Sequence, residues 1–213
     1  MNIIDQDIEK YIENHTSDIS KVLYELDRET HIKILRPRML SGAVQGKLLE
    51  LLVKMSGAKN ILEIGTYTGF SAISMASALP PEGHLHTIDI NAELESIVNK
   101  YIKLSNLNNK ISYHIGDANS IIPTLKSKFD FVFIDADKIN YLNYYNLLID
   151  KLPKGAWIIA DNVLWSGKVL EKPQKNDKET KAIQEFNDFI QKDKRVENIL
   201  LSIRDGLMVI RKI

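Results

Sequence analysis

Five short apolar segments, each separated from the next by a stretch long enough for a helix, constrain this chain more than any other feature. "NILEIG" (60–65), "HLHTIDI" (84–90), "ISYHIG" (111–116), "FDFVFIDA" (129–136) and "AWIIADN" (156–162) read as strands. Helix-like segments occupy 69–79, 91–104, 118–126 and 138–152. Each crossover helix must lie on the sheet, so this alternation predicts an α/β fold with a parallel sheet covered on both faces. Near the end, "ENILLSI" and "GLMVIRKI" flank the turn signal Asp205-Gly206 and predict an antiparallel pair at the sheet edge. The first 30 residues read as helical, with Ile4, Ile8, Tyr11 and Ile12 on one face. A second helix in "SDISKVLYELDRETH" is expected to be capped by Ser17 or Asp18. Ser41 is placed to cap a helix through Met55 whose apolar face is Val44, Leu48, Leu52 and Met55. The polar segment 166–181 reads as a solvated connection or, less commonly for such a segment, a mobile flap.

A length of 213 residues suits one domain, 1–213, with 1–40 as an N-terminal helical extension. Lys plus Arg and Asp plus Glu are equal at 28 each, so no global field draws the chain to nucleic acid or an anionic membrane. The absence of cysteine excludes disulfides, thiolate metal sites and a cysteine nucleophile. The acidic start lacks a basic stretch followed by an apolar run, and no apolar run approaches a membrane span. The expectation is a cytoplasmic protein without a membrane partner.

Ligands of open parallel sheets bind beyond the carboxyl ends of the strands, and four of these ends are polar. In "LEIGTYTGFS", Glu63 interrupts an apolar strand, while Gly65 and Gly69 bracket the turn into a helix. The middle glycine of a dinucleotide fingerprint is missing, and so is a Walker lysine. The spacing argues for a nucleoside ligand without a phosphate chain, and against a nicotinamide cofactor. Asp89, twenty residues after Gly69, can accept from both ribose hydroxyls. Read singly, the glycines can equally make a tight turn and Asp89 a helix cap.

Asp135, Asp161 and Asn162 end two strands and offer three oxygens to one hard cation such as magnesium, unless Asp135 and Asp161 cap the helices or loops that follow. Lys138 falls at the start of the next helix, where the macrodipole disfavours positive charge, and is either the candidate general base or a surface lysine paired with a neighbouring Asp. Asp137 faces a ligand or caps that helix. Trp165 walls a pocket or belongs to the core. The five histidines form no metal-ligand spacing, and no G-x-S-x-G elbow is present.

In order and spacing, "LEIGTYTGFSAISMA", "TIDIN", "GDA", "FDFVFIDADKINYLNYY" and "ADNVLWSGKV" resemble the cation-dependent O-methyltransferases, the group of catechol and caffeoyl-CoA enzymes. The resemblance runs from Arg36 to the C-terminus. It implies a class I methyltransferase fold, a Rossmann-like three-layer sandwich whose seven-stranded, mostly parallel sheet ends in a C-terminal antiparallel hairpin. It implies S-adenosylmethionine as cofactor, with Mg2+ or another hard divalent cation such as Ca2+ or Mn2+. Ser41, Glu63, Gly65, Thr66, Ser71, Asp89, Ala118 and Asp137 then look like cofactor contacts. Asp135, Asp161 and Asn162 look like metal ligands, and Lys138 like the family's base. Trp165 and Ser166 fall on the substrate side. Ser166 stands where plant caffeoyl-CoA enzymes have Asn, which counts against that substrate. The expected reaction is methylation of a hydroxyl on an aromatic small molecule with adjacent oxygens. The alternative is 5-hydroxyuridine in tRNA, for which Lys33, Arg36 and Arg38 could meet phosphates. Family members are commonly dimers, and a homodimer is expected.

Overall fold

The computed structural model describes residues 5–213. Its elements are α1 (Gln6–Asn14), α2 (Lys21–Lys33), α3 (Gly42–Ser56), β1 (Asn60–Ile64), α4 (Phe70–Ser77), β2 (His84–Asp89), α5 (Glu95–Leu104), β3 (Ile111–Ile115), α6 (Ala118–Ile121), β4 (Phe131–Ile134), α7 (Tyr141–Ile149), β5 (Trp157–Asp161), α8 (Lys178–Lys192), β6 (Val196–Leu201) and β7 (Leu207–Lys212). Every strand expected from the apolar segments is present. The seven-stranded sheet has the order β3-β2-β1-β4-β5-β7-β6. Strands β1 to β5 are parallel, while β7 runs antiparallel to both β5 and β6.

Period-two alternation divides the core between the two sheet faces. Ile61, Phe131, Phe133 and Leu85 pack beneath α3, α4 and α5, with Leu49, Phe70 and Val98. Leu62, Ile64, Val132 and Ile134 face the other layer, with Tyr145, Leu148 and Phe186 of α7 and α8. All four residues of β4 are buried, as a central strand covered on both sides requires. The strand order reverses between β1 and β4, and a crevice opens beyond their carboxyl ends.

Three helical expectations are corrected. The N-cap of α2 is Ser20, not Ser17 or Asp18; its hydroxyl accepts from the Leu23 amide at 3.3 Å. Ser41 is the N-cap of α3 but makes no side-chain cap bond. The most buried face of α3 is Gln45, Gly46, Leu49 and Val53, while Met55 is 80% exposed. Gly46 sets this rotation: a Cβ there would lie 2.6 Å from the Phe70 ring, so α3 and α4 meet at a position without a side chain. The solvated connection also ends early, because α8 starts at Lys178 behind the Asp177 cap. Ile8, Tyr11 and Ile12 of α1 are exposed, and Ile4 lies outside the described residues. Among the described residues no helix is long and apolar enough to cross a membrane.

Three histidines meet where β2 pairs with β3. Nδ1 of His86 lies 3.0 Å from Nε2 of His114, and the His84 ring stands edge-on to His86. Burial, then the neighbouring His84 and His114, push His86 from 6.5 down to about 4. The unfolded chain therefore binds this proton more readily than the folded one. The His86 contribution should be complete above pH 6.5 and lost as pH falls from 6.5 toward about 4. Urea-unfolding midpoints across this window should decline for wild type and decline less for His86→Gln. Equal slopes would remove His86 as the cause.

Candidate active site

The carboxyl ends of the parallel strands open into one cleft of about 1830 Å³. Gly65, at the end of β1, lets the cleft floor close. Its φ is 101°, and an added Cβ would lie 2.0 Å from the Asp135 carbonyl oxygen at the end of β4. No side chain fits between these strand ends. Six of the seven non-glycine residues with positive φ among the described residues line the same cleft: Arg36, Tyr67, Asn162, Trp165, Ser166 and Arg204. Sparsely populated backbone collects where the ligand-facing turns are made.

On one side, Asp89 ends β2. Its carboxylate accepts from the amides of Tyr67 (2.7 Å) and Asn91 (2.9 Å), which fix its direction and leave lone pairs for a ligand. Ser41, Gly65, Ala118 and Asp137 line the cleft with it. Glu63, Thr66 and Ser71 are instead buried beneath the floor. Glu63 Oε2 accepts from Thr87 Oγ1 at 2.5 Å, and Thr87 Oγ1 lies 2.5 Å from Thr66 Oγ1. Oε1 of Glu63 has no partner among the described residues. Burial raises the Glu63 carboxyl to about 8, against the Thr87 hydrogen bond that lowers it. The fixed Asp89 carboxylate, with lone pairs left over beside the glycine turn, fits a polar nucleoside-type cofactor.

On the other side, Asp135, Lys138, Asp161, Asn162, Trp165 and Ser166 line the cleft. Lys138 is buried at the start of the 3-10 turn that leads into α7. Its Nζ donates to Asp135 Oδ1 at 3.1 Å and to the Tyr141 hydroxyl at 2.7 Å. The Tyr141 hydroxyl in turn donates to the Asp161 carbonyl at 3.0 Å. Asp161 is 2% exposed. Burial first, and then the charge of Asp135, hold its carboxyl above the ordinary carboxylate range. Two carboxylates share this locus with one ammonium group, and Asn162 adds an amide oxygen. These hard donors fit a hard divalent cation. Among the described residues no three His, Cys, Asp or Glu side chains converge on a metal position. Water or substrate oxygens would therefore have to complete the coordination.

Asp137 does not cap a backbone amide. Its carboxylate accepts from the Tyr144 hydroxyl and from Asn140 Nδ2, each at 2.5 Å. Trp165 combines both of its expected places: it packs against the core beside α8 and lines the cleft, with its indole N–H unpartnered among the described residues. Lys33, Arg36 and Arg38 lie along the rim, where Lys33 is engaged by Glu29 at 3.0 Å. Sequence reasoning missed Gln45, Thr87, Tyr141 and Arg204. A glutamine among the apolar positions of α3 was a readable signal for Gln45. Arg204, in a hairpin loop, left none.

The O-methyltransferase family profile matches residues 13–213. A caffeoyl-CoA O-methyltransferase of Medicago sativa is 35% identical over 188 residues, covering 82% of this chain and 75% of that protein. One from Pinus taeda is 36% identical over 188 residues, covering 82% and 72%. Among solved structures, the O-methyltransferase from Bacillus cereus in complex with SAH aligns with a TM-score of 0.89 at 30% identity, covering 97% of each chain. The O-methyltransferase TomG from Streptomyces achromogenes, involved in tomaymycin synthesis and solved in complex with SAM, aligns with a TM-score of 0.88 at 27% identity, covering 99% of each.

Tyr141 joins Lys138 to the end of β5, and its buried hydroxyl has partners on both sides. Tyr141→Phe should lower the unfolding free energy by about 1–3 kcal/mol in urea denaturation, because both partners lose a buried hydrogen bond. An unchanged midpoint would show that the bridge does not stabilise the fold.

Proposed function

Because this chain belongs to the O-methyltransferase family and is an S-adenosylmethionine-dependent O-methyltransferase, we propose that it is divalent-metal-dependent and methylates one hydroxyl of a vicinal dihydroxy aromatic small molecule. The observation that carries this reading is the meeting of Asp135, Lys138, Asp161 and Asn162 on one cleft with Asp89 and the Gly65 turn. In this reading Ser41, Gly65, Asp89, Ala118 and Asp137 contact the cofactor directly. Glu63, Thr66 and Ser71 support the turn from below. S-adenosylmethionine supplies the methyl group on a sulfonium. A hard cation held by Asp135, Asp161 and Asn162 would favour the ionised hydroxyl and orient two neighbouring oxygens.

In its amine form Lys138 keeps two N–H groups for Asp135 and Tyr141 and receives the substrate proton on the remaining lone pair of Nζ, becoming the ammonium. Asp135 and Tyr141 hold that nitrogen in place, and burial keeps competing water away from it. The Trp165 ring, 5.8 Å from Nζ, supplies an aromatic wall beside the reacting hydroxyl. Asp89 anchors the nucleoside and the Gly65 turn admits it closely, so positioning supplies much of the rate gain. Helices α1 and α2 belong to this reading as an N-terminal extension of one catalytic domain. The exposed apolar side chains Ile8, Tyr11 and Tyr24 there support a homodimer.

Asp135→Ala should abolish methyl transfer to a catechol probe while S-adenosylhomocysteine binding persists by calorimetry, and EDTA should silence the wild-type enzyme. Full activity in EDTA would sink the metal assignment. An analogue with a single hydroxyl should turn over far more slowly than the catechol. Lys138→Ala should cut turnover by about 100-fold or more at low pH, where the hydroxyl is least ionised, and less as pH rises. A pH profile parallel to wild type would remove Lys138 as the base.

A further inference from the structure

Three segments far apart in the chain meet behind Asp161. Arg204 lies in the loop between β6 and β7 with φ 50°, in the left-handed region that glycine adopts freely and arginine does not. Its guanidinium explains why the position carries a long side chain. It donates to the Leu40 carbonyl at 3.1 Å, to the Ser41 carbonyl, and to Oε1 of Gln45 at 3.0 Å. Gln45 is fully buried in the first turn of α3. With Oε1 engaged by a cation that only donates, its amide has one orientation left. Nε2 therefore points at Asp161 and donates to Oδ2 at 2.6 Å. The Asn162 amide donates to Oδ1 at 2.7 Å. The carboxylate is held by one donor on each oxygen. A reversed Gln45 amide would set an oxygen against an oxygen.

We infer that Gln45 and Arg204 are positioning residues that orient the Asp161 carboxylate toward a hard divalent cation, Arg204 acting through the Gln45 amide. The inference rests on the metal-dependent reading proposed above. Outer-shell donors of this kind set the direction of a ligand's remaining lone pairs, and their loss weakens metal binding without removing a ligand. A clamp that served only to dock α3 on the sheet would leave metal affinity untouched.

Gln45→Met keeps the buried volume and removes the amide, while Arg204→Lys keeps the charge and removes the guanidinium fork. Each would be titrated with Mn2+ in saturating S-adenosylhomocysteine, following free Mn2+ by electron paramagnetic resonance. Thermal midpoints and S-adenosylhomocysteine affinity would be measured alongside. The Mn2+ Kd should rise about 10–100-fold in Gln45→Met, with S-adenosylhomocysteine affinity unchanged, and rise less in Arg204→Lys. Arg204 is at the surface, so Arg204→Lys keeps the test decisive if Gln45→Met does not fold. Wild-type Mn2+ affinity in the folded variants would overturn the positioning role alone. A wild-type protein that does not bind Mn2+ would overturn the metal-dependent reading, and the inference with it.

Discussion

The contact between Gly65 and the Asp135 carbonyl is the constraint on which the rest of the structure depends. It occurs where the strand order reverses, so the chain leaves β1 and β4 toward different sides. A side chain at residue 65 would push these strand ends apart, because its Cβ would lie 2.0 Å from the carbonyl oxygen. Closing this gap brings the turn beside Asp89 next to the turn that carries Asp135 and Lys138. The Asp89 side and the Asp135–Lys138 side of the cleft are thus neighbours because one residue has no side chain.

The charges at the strand ends would be costly to bury alone, and hydrogen bonds offset that cost. Lys138 rests between a carboxylate and a phenol, and the phenol reaches across to β5. Asp161 is satisfied on both oxygens yet still held above the ordinary carboxylate range by burial and Asp135. Glu63 lies deeper and keeps one oxygen without a partner among the described residues. These hydrogen bonds tie the polar groups of the floor to the strands and to α3. The α/β frame has strongly apolar strands to support it: β4 is buried at every residue.

Much of the fold was legible because strands alternate apolar runs with turn residues, and such runs need no partner to be recognised. Helix faces were less legible. In α3, Val44, Leu48, Leu52 and Met55 repeat at helical spacing, yet the neighbouring row through Gln45 and Leu49 is the more buried. Amphipathic spacing tolerates a rotation of one residue, and the fit of Gly46 against Phe70 decided it. Helix α8 was hidden by its polar composition, although Asp177 followed by Ile183, Phe186 and Ile190 carries a cap and an apolar stripe.

The sequence by itself determined the chemistry at the strand ends. Asp89, Asp135, Asp161 and Asn162 each follow an apolar run, and a strand must deliver its last residue to the carboxyl edge of the sheet. It also determined that these edges would sit together, because parallel strands point the same way. Only the tertiary structure showed that Ser41, Gly65, Asp89, Ala118 and Asp137 line the cleft while Glu63, Thr66 and Ser71 are buried. It alone joined Arg204 to Gln45 and Gln45 to Asp161, across 159 and 116 residues of chain. The physical reason is locality: a strand end announces itself to its neighbours in sequence, whereas a hydrogen bond between distant segments exists only once packing has brought them together.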